Sequence, residues 1–233
     1  MKHGSQYAKK VKRVFNRLVR QHGKPKHDSL ADPIEQLLLG VLARSTTETA
    51  ATAAMKSLQE GTVDLNELRV ASPREMVQLL GGDFPNALEK ARDINSILNE
   101  IFNRQHELDL TFLRDKTRRD AKEYLQKLPG VDACTLARVM LVSVGGHAIP
   151  VDEHLLAYLR RQELVDPDAD VADVQAFLER NIAADDAYAF YMLMRRVAAT
   201  SKPRLKKTAG VTRRKKTKRA SNTKRSAASR KNK

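Results

Sequence analysis

The segment from Leu128 to Ala137 holds the residues whose types and spacing most clearly suggest chemistry. Pro129 ends a preceding helical pattern, and Gly130 permits a tight turn in which the backbone can approach another surface closely. Backbone N–H groups at the start of the following helix would point outward, where the helix dipole favours an anion such as a phosphate. The pattern therefore predicts an anion-binding turn, and an ordinary tight connection between two helices is the alternative.

A carboxylate follows in the run Pro150–His154. The position of Asp152 before Leu155 predicts that it caps the N-terminus of the helix that starts there, and capping alone would account for it. His147 could be proposed as an acid–base group, but we expect a loop position for it. Four aspartates between residues 166 and 173 lack the glycine and terminal glutamate of a calcium-binding loop, so we expect a solvated turn before a helix.

Helices must position these segments, because apolar residues recur at helical spacing through most of the chain. Asp32 and Pro33 predict the N-cap and first turn of a buried helix, and Ser72 with Glu75 predicts a capping box at the start of another. An extended run is predicted only at 148–151, so the fold class is all-α. Further helices are predicted at 7–21, 50–59, 87–102, 117–127, 171–181 and 187–199.

Charge is distributed unevenly along the 233 residues, which carry 43 Lys and Arg against 28 Asp and Glu, a net charge of +15. Residues 1–27 contain nine basic residues and no acidic one, and residues 201–233 contain 15 and none. Basic blocks flanking an acidic body suit a polyanion, either nucleic acid or an anionic membrane surface. We expect 203–233 to be a disordered arm that tethers the body to DNA, with a solubilising or ribosome-like tail as the alternative. Its candidate phosphate contacts are Lys206, Lys207, Arg213, Arg214, Lys215 and Lys216.

Composition also limits the class of protein. One cysteine, Cys134, excludes an intrachain disulfide and leaves too few thiolates for a structural zinc or iron–sulfur site, so a reducing compartment is expected. The most apolar run, 139–151, falls short of the ~20 residues of a membrane span, which favours nucleic acid over a membrane as the polyanion. We therefore expect a soluble monomer that is cytoplasmic and nucleoid-associated, or nuclear, and not secreted.

Three segments in order resemble the helix-hairpin-helix DNA glycosylase superfamily, and specifically its endonuclease III branch. Residues 32–42 resemble the first core helix of the family, residues 128–137 its hairpin, and Val151-Asp152-Glu153-His154 its Val-Asp-Thr-His signature. The resemblance extends from about Asp32 to about Arg204 and implies a two-lobed fold with a DNA cleft between the lobes. The expected parts are a basic helix packing with the C-terminal lobe (1–31), a helical lobe with the hairpin (32–147), C-terminal helices completing the second lobe (148–202) and the basic tail (203–233).

The resemblance also implies roles for particular residues. The hairpin would grip phosphate, often through a monovalent cation at the backbone near Leu128 and Gly130, while a damaged base is flipped into a pocket. Asp152 would stabilise the cationic sugar that forms as the base leaves C1′ and would activate the attacking nucleophile. His154 would pack behind the aspartate helix. Expected DNA contacts outside the tail are Leu128, Pro129, Gly130, Val131, Cys134, Thr135 and Thr46.

The chain departs from the family at several positions. Bifunctional relatives have a lysine at the position of Cys134, whose amine forms a Schiff base, so we expect a monofunctional enzyme in which water attacks. Thr46 replaces a glutamine that fills the gap left by the flipped base, and Asp132 replaces a hairpin glycine, where it would weaken the phosphate grip or cap the second helix. No iron–sulfur cluster is expected, because alignment on Lys202-Pro203-Arg204 places no cysteine at the four cluster positions. Those positions are Ala198, Leu205, Thr208 and Arg214.

Two hypotheses from different classes follow. The first is a base-excision repair protein, a monofunctional glycosylase without a cofactor that acts on double-stranded DNA through Asp152. The second is a non-catalytic, nucleoid-associated DNA-binding protein that keeps the fold and has lost the lysine, the cluster and the gap-filling glutamine together. A weaker third alternative is a tail that binds RNA or the ribosome.

Overall fold

The computed structural model describes residues 4–27 and 30–200. Across these residues the chain forms eleven α-helices and one short 3₁₀ helix, Thr111–Arg114, and no β-strand, so the all-α fold class is confirmed. The extended run expected at 148–151 is irregular coil. The α-helices are α1 Gly4–His22, α2 Pro33–Ala43, α3 Glu48–Gly61, α4 Leu65–Val70, α5 Pro73–Leu80, α6 Ala87–Gln105, α7 Arg118–Gln126, α8 Ala133–Val142, α9 Glu153–Arg161, α10 Val171–Asn181 and α11 Ala184–Thr200.

The basic arm at 203–233, with its six candidate phosphate contacts, lies outside the described residues. Within residues 4–27 and 30–200, no helix combines the length and the apolarity that a bilayer crossing requires.

Local side-chain contacts fix where the helices begin. Asp32 accepts a hydrogen bond from the Glu35 N–H at 2.8 Å, with Pro33 in the first position of α2. At the start of α5, the Ser72 hydroxyl and the Glu75 carboxylate each accept from the backbone N–H of the other, which is the predicted capping box. Both predicted helix starts are therefore confirmed.

Buried side chains form two cores. The first is built by α2 to α8 around side chains such as Leu37, Ile94 and Leu98. The second joins α1 to α9, α10 and α11, where Phe15 of α1 packs edge-on against Phe190 at a ring distance of 5.6 Å. Because α1 directs its apolar face to the second core, its basic residues remain on the outer face.

The helices α2 and α8 approach closely at Gly40. A Cβ atom on Gly40 would lie 2.6 Å from Cγ2 of Thr135, a buried β-branched side chain with little freedom to move. We therefore expect Gly40→Ala to lower the free energy of unfolding by about 1–3 kcal/mol. Chemical denaturation measures this change, and Gly82→Ala is the matched control because a Cβ there meets nothing within 4 Å. Equal stabilities for Gly40→Ala and the wild type would show that the two helices are not tightly packed here.

Candidate DNA-binding and active site

The helices α7 and α8 form the expected hairpin. Leu128 is buried in the first core and Val131 packs partly against it, whereas Pro129 and Gly130 are exposed between them. Gly130 has φ +72°, and a Cβ there would lie 2.8 Å from Cγ of Asp93, so glycine is required on both conformational and steric grounds. The turn is thus anchored by apolar side chains and presents its tip to solvent.

Asp132 caps α8. Its Oδ1 accepts from the Thr135 N–H at 2.7 Å, and its Oδ2 lies 3.0 Å from Nε of Arg44. Of the two expectations for this residue, capping is the one that the structure shows. Arg44 pairs with this carboxylate and with that of Asp93, so the negative charge of Asp132 beside the hairpin is partly offset.

Arg44 connects the loop between α2 and α3 to the hairpin. Its Nη1 lies 2.6 Å from Oδ2 of Asp93 on α6, and its Nη2 donates to the Gly130 carbonyl. A cation near Leu128 and Gly130 would therefore have to share the Gly130 oxygen with a guanidinium. In the same loop Ser45 lines the cleft described next, and Thr46 is half-buried with its N–H donating to the Ala43 carbonyl.

A cleft of about 330 Å³ lies where the two cores meet. The end of α2 and the start of α8 form one side, and the start of α9 with parts of α10 and α11 forms the other. Cys134 and Thr135 line it from α8 and Asp152 lines it from the N-cap position of α9, so three of the expected site residues are brought together. Leu128, Pro129, Gly130 and Val131 belong to the adjoining hairpin turn and do not line this cleft.

Asp152 combines a structural contact with a position in the cleft. Its Oδ1 accepts from the Leu155 N–H at 2.6 Å and so caps α9. Its Oδ2 lies 4.0 Å from Nη2 of Arg195, and the side chain remains partly exposed. Capping therefore occupies one carboxylate oxygen and leaves the other beside a cation in the cleft. The helix N-terminus and Arg195 both complement the negative charge.

Cys134 lies in the first turn of α8 and is half-buried. Burial raises the pKa of its thiol to about 12, and the carboxylates of Asp152 and Asp132 act in the same direction. The thiol is protonated at neutral pH and is a poor nucleophile.

Three charged residues that the sequence analysis did not select form an ion-pair cluster at the cleft: Glu48, Arg138 and Arg195. Oxygens of Glu48 lie 2.7 Å from Nη2 of Arg138 and 2.5 Å from Nη2 of Arg195. Burial alone would raise the pKa of Glu48, but hydrogen bonds and charges from the two arginines outweigh it and lower the pKa to about 2. Glu48 is therefore ionised and joins α3, α8 and α11.

Tyr191 completes the surroundings of Arg195. Nη1 of Arg195 donates to the Tyr191 hydroxyl at 3.0 Å, and the guanidinium carbon lies 5.2 Å from the ring centroid. Burial raises the pKa of Tyr191 to about 12, so the phenol is neutral. Burial opposes the charge on Arg195, yet Tyr191 and Glu48 together raise its pKa, so the guanidinium is a permanent cation in the cleft.

One sequence signal could have found this cluster. Arg138 stands in the otherwise apolar run of α8, and a charge in such a helix requires a partner when it is buried. Arg138 is buried, and its Nε donates to Gln36 at 2.9 Å. The other members carried no such signal, because Glu48 resembles an ordinary first-turn glutamate and Arg195 lies beside a second arginine at the end of a helix.

Two further expectations concern histidines. His147 lies in a loop as expected, but the expectation that His154 packs behind the aspartate helix is wrong, because His154 is exposed.

Among the described residues, no group of His, Cys, Asp and Glu side chains could hold a metal ion. The residues at the four cluster positions do not fit an iron–sulfur cluster, since none is a cysteine and the single Cys134 lies in α8; three of the four positions are outside the described residues.

The fold is shared with solved DNA glycosylases. A trapped endonuclease III–DNA covalent intermediate matches with a TM-score of 0.65 at 20% identity, over 80% of this chain and 84% of that one. The 8-oxoguanine glycosylase/lyase of Clostridium acetobutylicum in complex with double-stranded DNA matches with a TM-score of 0.67 at 16% identity, over 84% of this chain and 70% of that one. The 3-methyladenine glycosylase MagIII of H. pylori, bound to 1,N6-ethenoadenine, matches with a TM-score of 0.60 at 16% identity, over 82% of this chain and 94% of that one. No family model and no curated protein matches the sequence. The chain therefore has the helix-hairpin-helix DNA glycosylase fold, and the fold predicted from its motifs is confirmed.

Proposed function

We propose that the chain is a monofunctional DNA glycosylase of base-excision repair, acting as a monomer on double-stranded chromosomal DNA in the cytoplasm or nucleus. The observation that carries the proposal is the position of Asp152, which lines a cleft next to the hairpin and keeps one carboxylate oxygen beyond its cap. Solved structures of this fold include glycosylases trapped on DNA or bound to double-stranded DNA, which supports DNA as the ligand.

The chemistry follows from the charges in the cleft. A base flipped from the duplex would occupy the cleft, and Asp152 would stabilise the cationic sugar that forms as the C1′–N bond breaks. Water would then add to C1′, with Asp152 accepting its proton. Cys134 carries a thiol where a Schiff base requires an amine, and that thiol is protonated and a poor nucleophile. No Schiff base therefore forms, and the strand remains intact. The proposed enzyme uses no iron–sulfur cluster.

The phosphate grip is divided between the hairpin and the basic tail. Asp132 already occupies the Thr135 N–H, so the remaining N–H groups of the turn and first α8 residues are left for phosphate. Lys206, Lys207 and the basic residues at 213–216 would add further positive charge to contact phosphate. This arrangement predicts a strong dependence of DNA affinity on salt.

Removal of residues 203–233 is expected to weaken DNA binding and to flatten its salt dependence. Each phosphate contact that is lost lowers the slope of log K against log[salt] by about 0.9, because fewer counterions are released. Fluorescence anisotropy at several KCl concentrations measures the slope. A matched variant that exchanges Lys and Arg at the six candidate positions keeps the charge and should keep the slope. Equal slopes for the truncated and full chains would exclude the tail from the interface.

The direct test of the proposed function is a single-turnover incubation with duplexes that each contain one damaged or mismatched base. The panel holds uracil, an oxidised pyrimidine, an 8-oxoguanine mismatch or an alkylated purine, and each reaction is analysed with and without alkali. We expect strand cleavage only after alkali, because the product is an abasic site. Cleavage without alkali would contradict the monofunctional mechanism.

The departures from the family support one second candidate. A chain without the lysine, the cluster cysteines and the gap-filling glutamine could retain DNA binding and have no turnover. Tight, salt-sensitive binding with no reaction on any duplex would identify this non-catalytic DNA-binding protein.

A further inference from the structure

Arg195 is a charged side chain of the cleft that lies beside Asp152 and is held there by two hydrogen bonds. Tyr191 and Glu48 fix its two terminal nitrogens at 3.0 and 2.5 Å, and its Nη2 lies 4.0 Å from Oδ2 of Asp152. These two hydrogen bonds engage two of the five N–H donors of a guanidinium. A ligand in the cleft would therefore meet a positioned cation with further donors.

Arg138 is less suited to contact a ligand. Its side chain is 8% exposed, compared with 15% for Arg195. Its Nε donates to Gln36, and both of its terminal nitrogens donate to Glu48. Arg138 therefore orients Glu48, which in turn orients Arg195.

The charge on a leaving base depends on its chemical class. When a neutral base leaves, the C1′–N bond breaks with both electrons on the base, which becomes an anion with charge spread onto its carbonyl oxygens. An alkylated purine that already carries a positive charge leaves as a neutral base. A fixed guanidinium stabilises the first product and repels the second substrate, most strongly in a site from which water is excluded.

We propose that Arg195 binds the leaving base and stabilises its negative charge, so that the enzyme acts on neutral, carbonyl-bearing lesion bases and not on cationic alkylated purines. The inference rests on the proposed glycosylase function and assigns its substrate class. The reaction balances as hydrolysis: water supplies hydroxide to C1′, Asp152 accepts the proton that the water loses, and transfer of that proton to the base anion restores the carboxylate. Asp152 and Arg195 then complement the two opposite charges that develop in one step.

Two comparisons test this role. The first uses single-turnover base release from duplexes with uracil, an oxidised pyrimidine or 8-oxoguanine, against duplexes with N7-methylguanine or 3-methyladenine. We expect release within the neutral group only. Release of either cationic purine by the wild type would overturn the leaving-group role and leave the glycosylase function intact. No release from any duplex would overturn both.

The second comparison separates a chemical role for Arg195 from a structural one. Arg195→Gln is expected to slow release of the preferred neutral base by about 100-fold, since the variant loses a fixed donor to a developing anion. The same substitution should slow release of a halogenated analogue of that base much less, because the analogue is a better leaving group. Arg195→Lys keeps the charge and should recover part of the rate.

Arg69→Gln is the control, because Arg69 is partly buried, donates to Asn99 at 3.1 Å and does not line the cleft. We expect it to lower stability and to leave the ratio of the two release rates at the wild-type value. An equal loss on both bases in Arg195→Gln would show that Arg195 only supports the fold, which would overturn the proposal.

Discussion

Substitution of Asp152 by asparagine is expected to slow base release by about 10³-fold without a comparable loss of DNA affinity. Asparagine caps helices about as well as aspartate, so the hydrogen bond from the Leu155 N–H and the start of α9 should persist. The amide lacks the negative charge that stabilises a cationic sugar, and it is a much weaker proton acceptor. Single-turnover rates and anisotropy binding curves on the same duplex measure the two quantities.

Asp64→Asn is the matched control for this substitution. Asp64 caps α4 in the same way, with Oδ1 accepting from the Glu67 N–H at 2.8 Å, and it is not part of the cleft. Both variants keep a cap and lose one negative charge, and only Asp152→Asn should lose turnover. Wild-type turnover in Asp152→Asn would remove this carboxylate from the mechanism.

Glu48→Gln is expected to destabilise the fold by about 2 kcal/mol at neutral pH. The two arginines that it pairs are largely buried, and removal of their shared carboxylate abolishes the ion pair of Arg138 and leaves Arg195 the longer contact with Asp152 at 4.0 Å. Breaking a fully buried pair costs roughly 3–5 kcal/mol. Glu48 itself is 37% exposed, so solvent screening reduces the effect. Urea denaturation of both proteins measures it.

The loss of folding stability in Glu48→Gln should become smaller as the pH falls. The pKa of Glu48 is lowered from 4.5 to about 2, so its ionised form stabilises the fold above pH 4.5 and this contribution disappears as the pH falls toward 2. The stability gap between the wild type and Glu48→Gln should therefore be complete at pH 7 and shrink between about pH 4.5 and 2. A gap that widens with acid would contradict the pairing.

Glu60→Gln provides a comparison on the same helix. Glu60 pairs with Lys56 at 3.4 Å, and both side chains are mostly exposed. Exposed pairs of this spacing contribute about 0.3–0.5 kcal/mol, so we expect a small change with little pH dependence. If Glu60→Gln lost as much folding stability as Glu48→Gln, pairing with the buried arginines would not account for the effect at Glu48.

Most of the fold could be predicted because local contacts determine helix ends. Asp32 with Pro33 and Ser72 with Glu75 act within three residues, so the sequence displays them directly. The helix α4 was missed because its six residues are too short to show a period. The run 148–151 suggested an extended segment, but the described chain offers no neighbouring strand to pair with it and it remains coil.

Only the parts of the candidate site that depend on residues close together in the sequence could be predicted. The hairpin and Asp152 are visible as short motifs, and the Asp132 cap is a contact across three residues. The pairing of Glu48 with Arg138 and Arg195 spans 90 and 147 residues, and nothing in one sequence indicates such a separation. His154 was misplaced because a motif specifies the residue and does not specify which face of α9 is buried.

In the proposed reaction, this cleft breaks the N-glycosidic bond and leaves an intact strand. The most direct measurement is mass spectrometry of the free base and of the DNA strand after single-turnover reaction of the full chain with lesion-containing duplexes. We predict a released base and an abasic, uncleaved strand with the wild type, and neither product with Asp152→Asn. Salt-sensitive binding without release of any base would contradict the account and identify a DNA-binding protein that has lost its chemistry.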